Sequence, residues 1–347
     1  MNKTVRKIFD ILNWMAIIGL LLVYLASQVD PQDFWPIAFF GLSYKFWLGL
    51  NVLLLSIWIL LKRKRWIYNA LVIAAGFQFI AREVQFNNKV EDTPDFKVCS
   101  FNTNVQKVYN EGNTSDEIDY YLNANDVDVG VMIEWLNKKG SISSENYPFQ
   151  QFVRLNAEQN RYDYGLKLVS KYPIINWEKV RFNHFTNNMS VVFDIEIKGE
   201  IIRFIATHLQ SNNLSSKDYH TMLNVEAGEE YQDYAKNIMS RIKSAVQVRS
   251  NQVKTLLETI EESPYPVIIL GDFNDTPQSY AYQQLRSGRK DAFVERGSGW
   301  GATYLKPFPL LRIDYILYDN DFSCVDYNST NEIVSDHKLI EATFKIN

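Results

Sequence analysis

The feature that most restricts the fold of this chain is a run of nineteen uncharged residues between Asp10 and Asp30, ILNWMAIIGLLLVYLASQV. A helix needs about 20 predominantly apolar residues to cross a bilayer. Residues 11–29 are therefore predicted to form a transmembrane helix. A cleaved signal peptide is the alternative, because a basic start followed by an apolar stretch is also typical of such peptides.

Two more apolar runs follow at once, which favours an anchor over a signal peptide. We predict further helices at about 42–61 and 66–86, so that residues 1–86 form a membrane domain with two to three transmembrane helices. Asn69 and Gln78 interrupt the third run. This run is therefore also compatible with a core or interfacial helix.

Charges around these runs predict the orientation of the chain. Basic residues precede the first run (Lys3, Arg6, Lys7) and join the second to the third (KRKR, residues 62–65), whereas the first connecting loop carries Asp30 and Asp33. The positive-inside rule places the amino terminus and the KRKR loop in the cytoplasm. Three spans would make everything after Phe86 extracytoplasmic, and two spans would leave it in the cytoplasm. We expect a multi-pass protein of the cell (inner) membrane with a periplasmic soluble domain.

The charge is distributed unevenly along the chain. Residues 1–94 carry ten Lys and Arg against six Asp and Glu, whereas residues 95–347 carry twenty-six against thirty-four. The soluble part is therefore acidic, which makes it a poor electrostatic match for a polyanion bound through its phosphates. Cys99 and Cys324 lack the spacing of a structural zinc site, and we expect buried free thiols, although a domain outside the cytoplasm would permit a bridge.

After a polar linker at residues 87–95, short β-rich runs alternate with helical ones. The clearest strands are Lys97–Asn102, Val127–Ile133, Val191–Ile197, Ile201–Thr207, Val267–Leu270, Ile313–Tyr318 and Glu341–Ile346. Helices are predicted around Asp116–Asn123, Tyr231–Glu261 and Ser279–Leu285. This alternation predicts one α/β domain with a packed sheet core over residues 96–347.

Polar residues cluster at or near the ends of these strands. They are Asn102 and Asn104 (FNTN), Glu134 (MIEW), His208 (ATHLQ), Asp272 and Asn274 (GDFND), Asp314 (RIDYIL), and Asp336 with His337 (SDH). Strand ends are where an α/β sheet brings together catalytic groups from distant parts of the chain. The combined set is rich in oxygen ligands and has two imidazoles, which suits Mg²⁺ (or Mn²⁺) beside a phosphoryl group.

Each side chain has a suitable role in such a site. Glu134 can hold the metal, which would neutralise the phosphate during in-line displacement. Asp272, steered by Asn274, can orient or deprotonate a water molecule. His208 and the imidazole of the SDH motif can donate to phosphate oxygens or to the leaving group, with Asp314 fixing one tautomer. A single Asn or Glu at a strand end is usually a turn former or a cap, but the conjunction points to catalysis.

The order NTN, IEW, THLQ, GDFND, RIDYIL and SDH resembles the endonuclease/exonuclease/phosphatase superfamily over nearly all of residues 95–347. That superfamily includes pancreatic deoxyribonuclease, abasic-site endonucleases, inositol polyphosphate 5-phosphatases and neutral sphingomyelinases. The resemblance implies an α/β fold, a four-layer sandwich of two mixed β-sheets flanked by helices, here preceded by N-terminal transmembrane helices. It also implies divalent-metal-dependent hydrolysis of a phosphoester.

The resemblance also assigns roles by motif. It implies metal-site residues at Asn102, Glu134 and Asp336, a phosphate-contacting His208, a nucleophile-positioning pair Asp272 and Asn274, and a carboxylate partner Asp314 for His337. Asn104, which stands where some relatives have Asp, and Arg249 and Gln252 in VRSNQV are supporting residues. The whole chain is similar to membrane-anchored bacterial members of the superfamily.

The sequence therefore predicts a membrane-anchored metal-dependent phosphoesterase that is either nuclease-like or a lipid phosphodiesterase. Its substrate would be nucleic acid or a phospholipid or sphingolipid head group. The acidic domain disfavours duplex binding, and tethering to a lipid bilayer suits a head group. No protein partner is implied. A catalytically silent, membrane-tethered binding protein is the alternative from another class.

Overall fold

The computed structural model describes residues 3–88, 90, 92–104, 114–137, 141–155, 164–182, 188–212, 218, 229–306, 311–333 and 335–347. Residues 89 and 91 of the predicted linker lie outside this set. All residues predicted for the functional site lie within it.

The described residues form these strands: β1 (Val84–Phe86), β2 (Phe96–Asn102), β3 (Val129–Leu136), β4 (Phe149–Arg154), β5 (Tyr164–Ser170), β6 (Ile174–Lys179), β7 (Met189–Ile197), β8 (Glu200–His208), β9 (Val267–Asp272), β10 (Lys290–Asp291), β11 (Ser298–Trp300), β12 (Asp314–Tyr318), β13 (Phe322–Thr330) and β14 (Leu339–Ile346). The helices are α1 (Lys3–Ala26), α2 (Pro31–Phe34), a 3₁₀ turn (Trp35–Ile37), α3 (Ala38–Leu42), α4 (Tyr44–Leu60), α5 (Trp66–Ala75), α6 (Phe77–Ala81), α7 (Thr114–Ala124), α8 (Glu229–Glu261), α9 (Tyr280–Arg286) and α10 (Ala292–Arg296). The seven strands and three helices predicted for the soluble domain are all present. The other seven strands (β1, β4, β5, β6, β10, β11 and β13) were not predicted, and β1 lies at the end of the range 66–86 that was predicted as a helix.

Two six-stranded mixed sheets form the centre of the soluble domain. Their strand orders are β10-β12-β9-β8-β7-β6 and β13-β14-β2-β3-β5-β4, and β8 with β9 and β2 with β3 are the parallel pairs. The shared core between the sheets contains Val98, Val131, Phe193 and Leu270 among its fully buried side chains. Face-to-face packing of this kind buries one apolar face of each sheet.

A helix covers the outer face of each sheet. Leu256 of α8 packs with Ile269 of β9 on one side, and Leu122 of α7 packs with Phe101 of β2 on the other. The layers therefore run helix, sheet, sheet, helix, as the resemblance implied. Cys99 and Cys324 are both buried and free.

The N-terminal helices were predicted as two to three spans. Judged by length and composition, α1 is the described helix that could cross a membrane unaided, and the bent pair Pro31–Leu42 and Tyr44–Leu60, which meet at 52°, could count as a second. Helix α5 has ten residues, and a turn at Gly76 separates it from α6. The structure thus shows one apolar N-terminal helix of spanning length, a feature that anchors and signal sequences share.

These helices pack directly on the soluble domain. Strand β1 pairs with β11, and the Asp30 carboxylate accepts a hydrogen bond of 2.5 Å from the Ser250 hydroxyl of α8. The Arg82 guanidinium donates to the carbonyl oxygen of Pro277 at 3.0 Å and to Gln283 at 2.9 Å. Charged and polar contacts therefore fix the position of the N-terminal helices relative to the sheets.

Gly271 is the position in the GDFND motif where the backbone requires a glycine. Its φ is +141°, and a Cβ built there would lie 1.9 Å from the carbonyl oxygen of Thr207 on the paired strand β8. Only glycine adopts such a conformation readily, and a rigid backbone atom cannot move aside.

We expect Gly271→Ala to lower the free energy of unfolding by at least about 3 kcal/mol, from strain and the clash together. Gly288 is the matched control, because its φ of +76° is strained for alanine while a Cβ there meets nothing within 4 Å. Gly288→Ala should cost roughly 1–2 kcal/mol. Thermal unfolding of the full chain in detergent measures both, and equal losses would contradict the steric argument.

Candidate active site

Strand register brings three predicted residues side by side. In the parallel pair β8 and β9, His208 lies opposite Asp272, and in the antiparallel pair β9 and β12, Asp314 lies opposite the same Asp272. The sheet thus places an imidazole and a second carboxylate on either side of a central carboxylate, although the three residues are far apart in the sequence.

The second sheet contributes from the ends of β2 and β3. Asn102 ends β2, and Glu134 lies where the pairing of β3 with β5 shifts register between Met132 and Trp135. Such a bulge re-aims a side chain, and bulges are frequent beside active sites. Glu134 has a φ of +57°, in the left-handed region. The bulge therefore turns this carboxylate toward the facing sheet.

Asp272 is the most deeply buried acid of the site. Only 1% of it is exposed, yet both carboxylate oxygens are hydrogen-bonded: the Asn274 backbone N–H donates to Oδ1 at 2.7 Å, and the Asn102 amide donates to Oδ2 at 3.0 Å. Burial, and then the charge of Asp314, raise the pKa of Asp272 to about 7. Its basicity is therefore far higher than that of an exposed aspartate.

His337 forms an acid–imidazole pair with Asp314. Its Nδ1 lies 3.0 Å from Asp314 Oδ2, and its Nε2 lies 3.8 Å from Asp272 Oδ2. Burial lowers the pKa of this imidazole, but the carboxylates of Asp314 and Asp272 outweigh burial and raise it to about 10. His337 is therefore a cation at neutral pH between two buried carboxylates.

His208 differs from His337 in its charge state. Its Nε2 is 3.7 Å from Glu134 Oε1 and 3.8 Å from Asp272 Oδ2, beyond hydrogen-bonding distance. Burial, and then the charge of His337, lower the pKa of His208 to about 3. The site thus holds one neutral and one protonated imidazole. Two titratable groups whose environments shift their pKa values in opposite directions are typical of acid–base sites.

Most of the predicted site residues line an open cleft of about 170 Å³. The predicted residues that line it are Asn102, Asn104, Glu134, His208, Asp272, Asn274, Asp336 and His337. Asp314 lies behind the cleft as the partner of the protonated imidazole. Of the lining residues that the structure describes, none is Lys or Arg. The cleft is therefore acidic, apart from its one imidazolium.

The supporting residues Arg249 and Gln252 do not line the cleft. The fully buried Arg249 donates to Asp275 Oδ2 at 3.0 Å and to Asn212 Oδ1 at 3.0 Å, and both of these partners line the cleft. Gln252 accepts from the backbone N–H of Gln210 at 2.9 Å. Both residues therefore position the cleft walls from α8.

Sequence reasoning missed several residues near the site. Asn212, Asp275, Thr276 and Tyr304 line the cleft, and Tyr164 hydrogen-bonds Glu134. Asp275 and Asn212 stand beside the motifs GDFN and THLQ, so proximity in the sequence could have indicated them. Tyr304 and Tyr164 carry no such signal, because only the fold brings them to the cleft.

The donor set fits a divalent cation. Asp272, Asp314 and His337 place one potential ligand atom each within 4.8 Å of one another, and His337 can serve as a ligand once its imidazole has lost the proton. In addition, Asp336 Oδ1 is buried without a hydrogen-bond partner. A buried, unpartnered carboxylate oxygen is costly unless a cation or donor meets it. Carboxylate and amide oxygens in an acidic cleft are the ligands that Mg²⁺ and Mn²⁺ prefer.

The His337 pair predicts a specific pH dependence of stability. The pKa of His337 is about 10 in the fold and 6.5 in the unfolded chain, so its stabilisation is complete below pH 6.5 and is lost as pH rises through 10. In EDTA, we expect His337→Gln to lower Tm most at pH 6 and progressively less toward pH 10. Asp314→Asn should show the same trend, and a pH-independent loss in both variants would contradict the assignment.

Comparison with known proteins agrees with this geometry. The model of the Endonuclease/Exonuclease/phosphatase family matches residues 99–337, and that of a domain of unknown function (DUF8431) matches residues 6–82. No curated protein matches the chain.

Solved structures share the fold at low sequence identity. The endonuclease/exonuclease/phosphatase from Bacteroides vulgatus is 15% identical. The match covers 74% of this chain and 100% of that one, with a TM-score of 0.55. The human Nocturnin catalytic domain with bound sulfate anion is 18% identical. The match covers 75% of this chain and 98% of that one, with a TM-score of 0.54. D. rerio TDP2 complexed with single strand DNA product is 16% identical. The match covers 72% of this chain and 98% of that one, with a TM-score of 0.53.

The family match spans well over half of the chain and ends at His337 of the site. The chain therefore belongs to the endonuclease/exonuclease/phosphatase family, whose members are typically metal-dependent phosphoester hydrolases.

Proposed function

We propose that this protein is a membrane-anchored hydrolase that cleaves a phosphodiester with the help of Mg²⁺ or Mn²⁺. The observation that carries the proposal is the buried Asp272 with a pKa near 7, held between Asn102, Asn274 and the His337 cation in an acidic cleft. Family membership supplies the reaction class.

Glu134, Asn102 and Asp336 are the residues we assign to the metal. All three line the cleft, and one Asp336 oxygen has no hydrogen-bond partner. When bound, the ion would supply positive charge to a phosphate that the acidic cleft otherwise repels. Asp314 is a weaker candidate because its carboxylate is already engaged by a protonated imidazole.

The remaining residues suit proton transfer and orientation. Asp272 can accept a proton from water at neutral pH because its pKa lies near 7, and the Asn274 backbone N–H keeps its carboxylate in place. The neutral His208 can donate one hydrogen bond to a phosphate oxygen. The His337 cation, oriented by Asp314, can donate to a phosphate oxygen or to the leaving group.

Two substrate classes are compatible with this chemistry. TDP2, which shares the fold, is known in complex with a single strand DNA product, so nucleic acid is one candidate. A phospholipid or sphingolipid head group is the other. The cleft chemistry acts on the phosphodiester that both contain.

Membrane anchoring is supported by the apolar surface of the N-terminal helices. Exposed apolar side chains occur on every one of the longer helices: Ile11, Met15 and Ile18 on α1, Leu53 and Leu60 on α4, and Leu71 on α5. Only 33% of the most apolar stretch of α1 is buried within the protein, unlike the core helix of a soluble domain. Exposed apolar surface of this extent indicates a membrane or a partner.

Polar contacts between these helices also suit a bilayer. The Asn51 amide donates to the carbonyl oxygen of Ala16 at 2.8 Å and accepts from Asn69 at 3.0 Å, and Trp58 donates to Asn13 at 2.7 Å. All of these side chains are buried. Hydrogen bonds between buried amides are a common means of joining transmembrane helices.

The contacts at the two ends of the bundle support three crossings. At one end, Arg65 of the KRKR loop donates to Asp10 near the amino terminus at 2.8 Å. At the other end, Asp30 pairs with Lys254 of the soluble domain at 2.7 Å. The basic loop and the soluble domain therefore lie at opposite ends. With the basic end in the cytoplasm, the soluble domain is periplasmic.

The metal-dependent reaction is tested with the full chain in nanodiscs and bis(p-nitrophenyl) phosphate. We expect hydrolysis with Mg²⁺ or Mn²⁺ that EDTA abolishes. Asp272→Asn should lower kcat by at least about 10³-fold because it removes the proton acceptor. Glu134→Gln should instead raise the Mg²⁺ concentration needed for half-maximal rate by about tenfold or more.

Asp321→Asn, at an exposed aspartate remote from the cleft, is the matched control and should behave as wild type. If the wild-type protein binds Mn²⁺ but hydrolyses neither phosphodiesters nor monoesters, the proposed enzyme is wrong and the alternative of a membrane-tethered binding protein is favoured.

The topology is tested by labelling with a membrane-impermeant maleimide. Both native cysteines are buried, so the background is low. In spheroplasts of a bacterial host, Glu200→Cys on the soluble domain should react directly, whereas Lys64→Cys should react only after permeabilisation. The reverse pattern would place the soluble domain in the cytoplasm.

A further inference from the structure

The segment that joins the first two apolar helices forms part of the cleft. Leu42, at the end of α3, lines the cleft together with the polar residues of the soluble domain. It also packs against Ile238, Ile242 and Val246 of α8. One residue of the cleft wall therefore comes from the N-terminal helices and is apolar.

Close backbone packing fixes this wall. A Cβ at Gly41 would lie 3.2 Å from the carbonyl oxygen of Gln278, in the loop that follows β9 and carries Asp275 and Thr276 into the cleft. From the other side, Arg82 donates to the carbonyl oxygen of Pro277 at 3.0 Å. The cleft loop is thus held between α3 and the end of α6.

The position of Leu42 along the chain sets its distance from the bilayer. The apolar helix α4 begins at Tyr44, two residues further on. Two exposed aromatic side chains lie beside this junction: Phe46 on α4, and Trp300 on β11, whose ring centroid is 5.8 Å from the Lys45 ammonium. Aromatic side chains of this kind are typical of the membrane–water interface. With α1 and α4 in a bilayer, as proposed above, the mouth of the cleft would lie at the level of the membrane surface.

The lining of the cleft is mixed in polarity. Leu42, Leu311, Ile313 and Tyr304 add apolar surface to a lining that also contains carboxylates and imidazoles. The described lining has no Lys or Arg that could track the phosphates of a nucleic acid, and residues 95–347 carry a net negative charge. An amphipathic phosphoester, with one polar and one apolar part, matches this mixed lining better than a polyanion.

We propose that the substrate is a phosphodiester carried by a membrane lipid, and that Leu42 is a specificity-determining residue over which its apolar part enters the cleft. This inference rests on the proposed function. In the reaction, the oxygen of water bonds to phosphorus, the ester P–O bond breaks, and the proton from water ends on the departing alcohol. The products are a phosphomonoester and an alcohol, one of which stays in the bilayer.

The test uses two substrates with the same reacting centre and leaving group. The full chain in nanodiscs with Mg²⁺ or Mn²⁺ is offered p-nitrophenyl hexadecyl phosphate, which partitions into the bilayer, and p-nitrophenyl ethyl phosphate, which does not. We expect a higher kcat/KM for the hexadecyl diester. Leu42→Gln should lower the ratio of the two kcat/KM values by about tenfold, the effect of losing one apolar side-chain contact.

Leu42→Met is the matched control, because it keeps an apolar side chain of similar volume and should keep the ratio. Comparing ratios separates specificity from a general loss of folding or activity, which would lower both values together. Unchanged ratios in both variants would overturn the inference, as would faster hydrolysis of a single-stranded oligonucleotide than of the hexadecyl diester.

The two proposals fail in different ways. If wild type hydrolyses the ethyl diester and not the hexadecyl diester, the lipid substrate is wrong and the phosphoesterase stands. If wild type hydrolyses neither diester nor the oligonucleotide with either metal, the phosphoesterase is wrong and the lipid substrate with it.

Discussion

The burial of one carboxylate, that of Asp272, determines how the rest of the site is arranged. Removing a carboxylate from water is costly unless hydrogen bonds and opposite charge compensate. Two N–H donors, from Asn102 and Asn274, and the nearby His337 cation supply that compensation. The cation in turn depends on Asp314, the residue opposite Asp272 in the neighbouring strand. The pairing of β9 with its neighbours therefore fixes the position of the Asp272 carboxylate and of the charged residues that stabilise it.

Strand β9 also links the site to the N-terminal helices. The chain leaves β9 at Asp272, passes the cleft residues Asp275 and Thr276, and then contacts α3 and Arg82 through its backbone. Arg249 holds the same loop from α8 through its pair with Asp275. The cleft and the N-terminal helices thus share one short loop. A change in the packing of these helices would reach the cleft through the contacts of Gly41 and Arg82 with this loop.

Much of this arrangement follows from the sequence, for reasons that particular residues illustrate. Asp272 and His208 follow apolar strand runs, and the ends of adjacent parallel strands must meet at one sheet edge. Strands β4 and β6 were missed because they are edge strands with a weak apolar pattern: two of the six residues of β4 and five of the six residues of β6 are exposed. The approach of Leu42 and Tyr164 to the cleft depends on packing between distant elements, which no local periodicity encodes. Asn69, which interrupts the third apolar run, donates to Asn51 of α4 and is fully buried.

Backbone strain and charge in the cleft have a common physical explanation. Three of the six non-glycine residues with positive φ among the described residues are Asn104, Glu134 and Asn274, and all three line the cleft. Strained conformations persist where the surrounding structure enforces them, and they are concentrated at functional sites. Here Asn274 donates its backbone N–H to the Asp272 carboxylate, whereas Glu134 brings a further carboxylate into a cleft that is already acidic. Such an arrangement is unfavourable for the protein alone and becomes favourable when a cation occupies the cleft. The sheets therefore hold together an acidic cleft whose negative charge a bound cation would compensate.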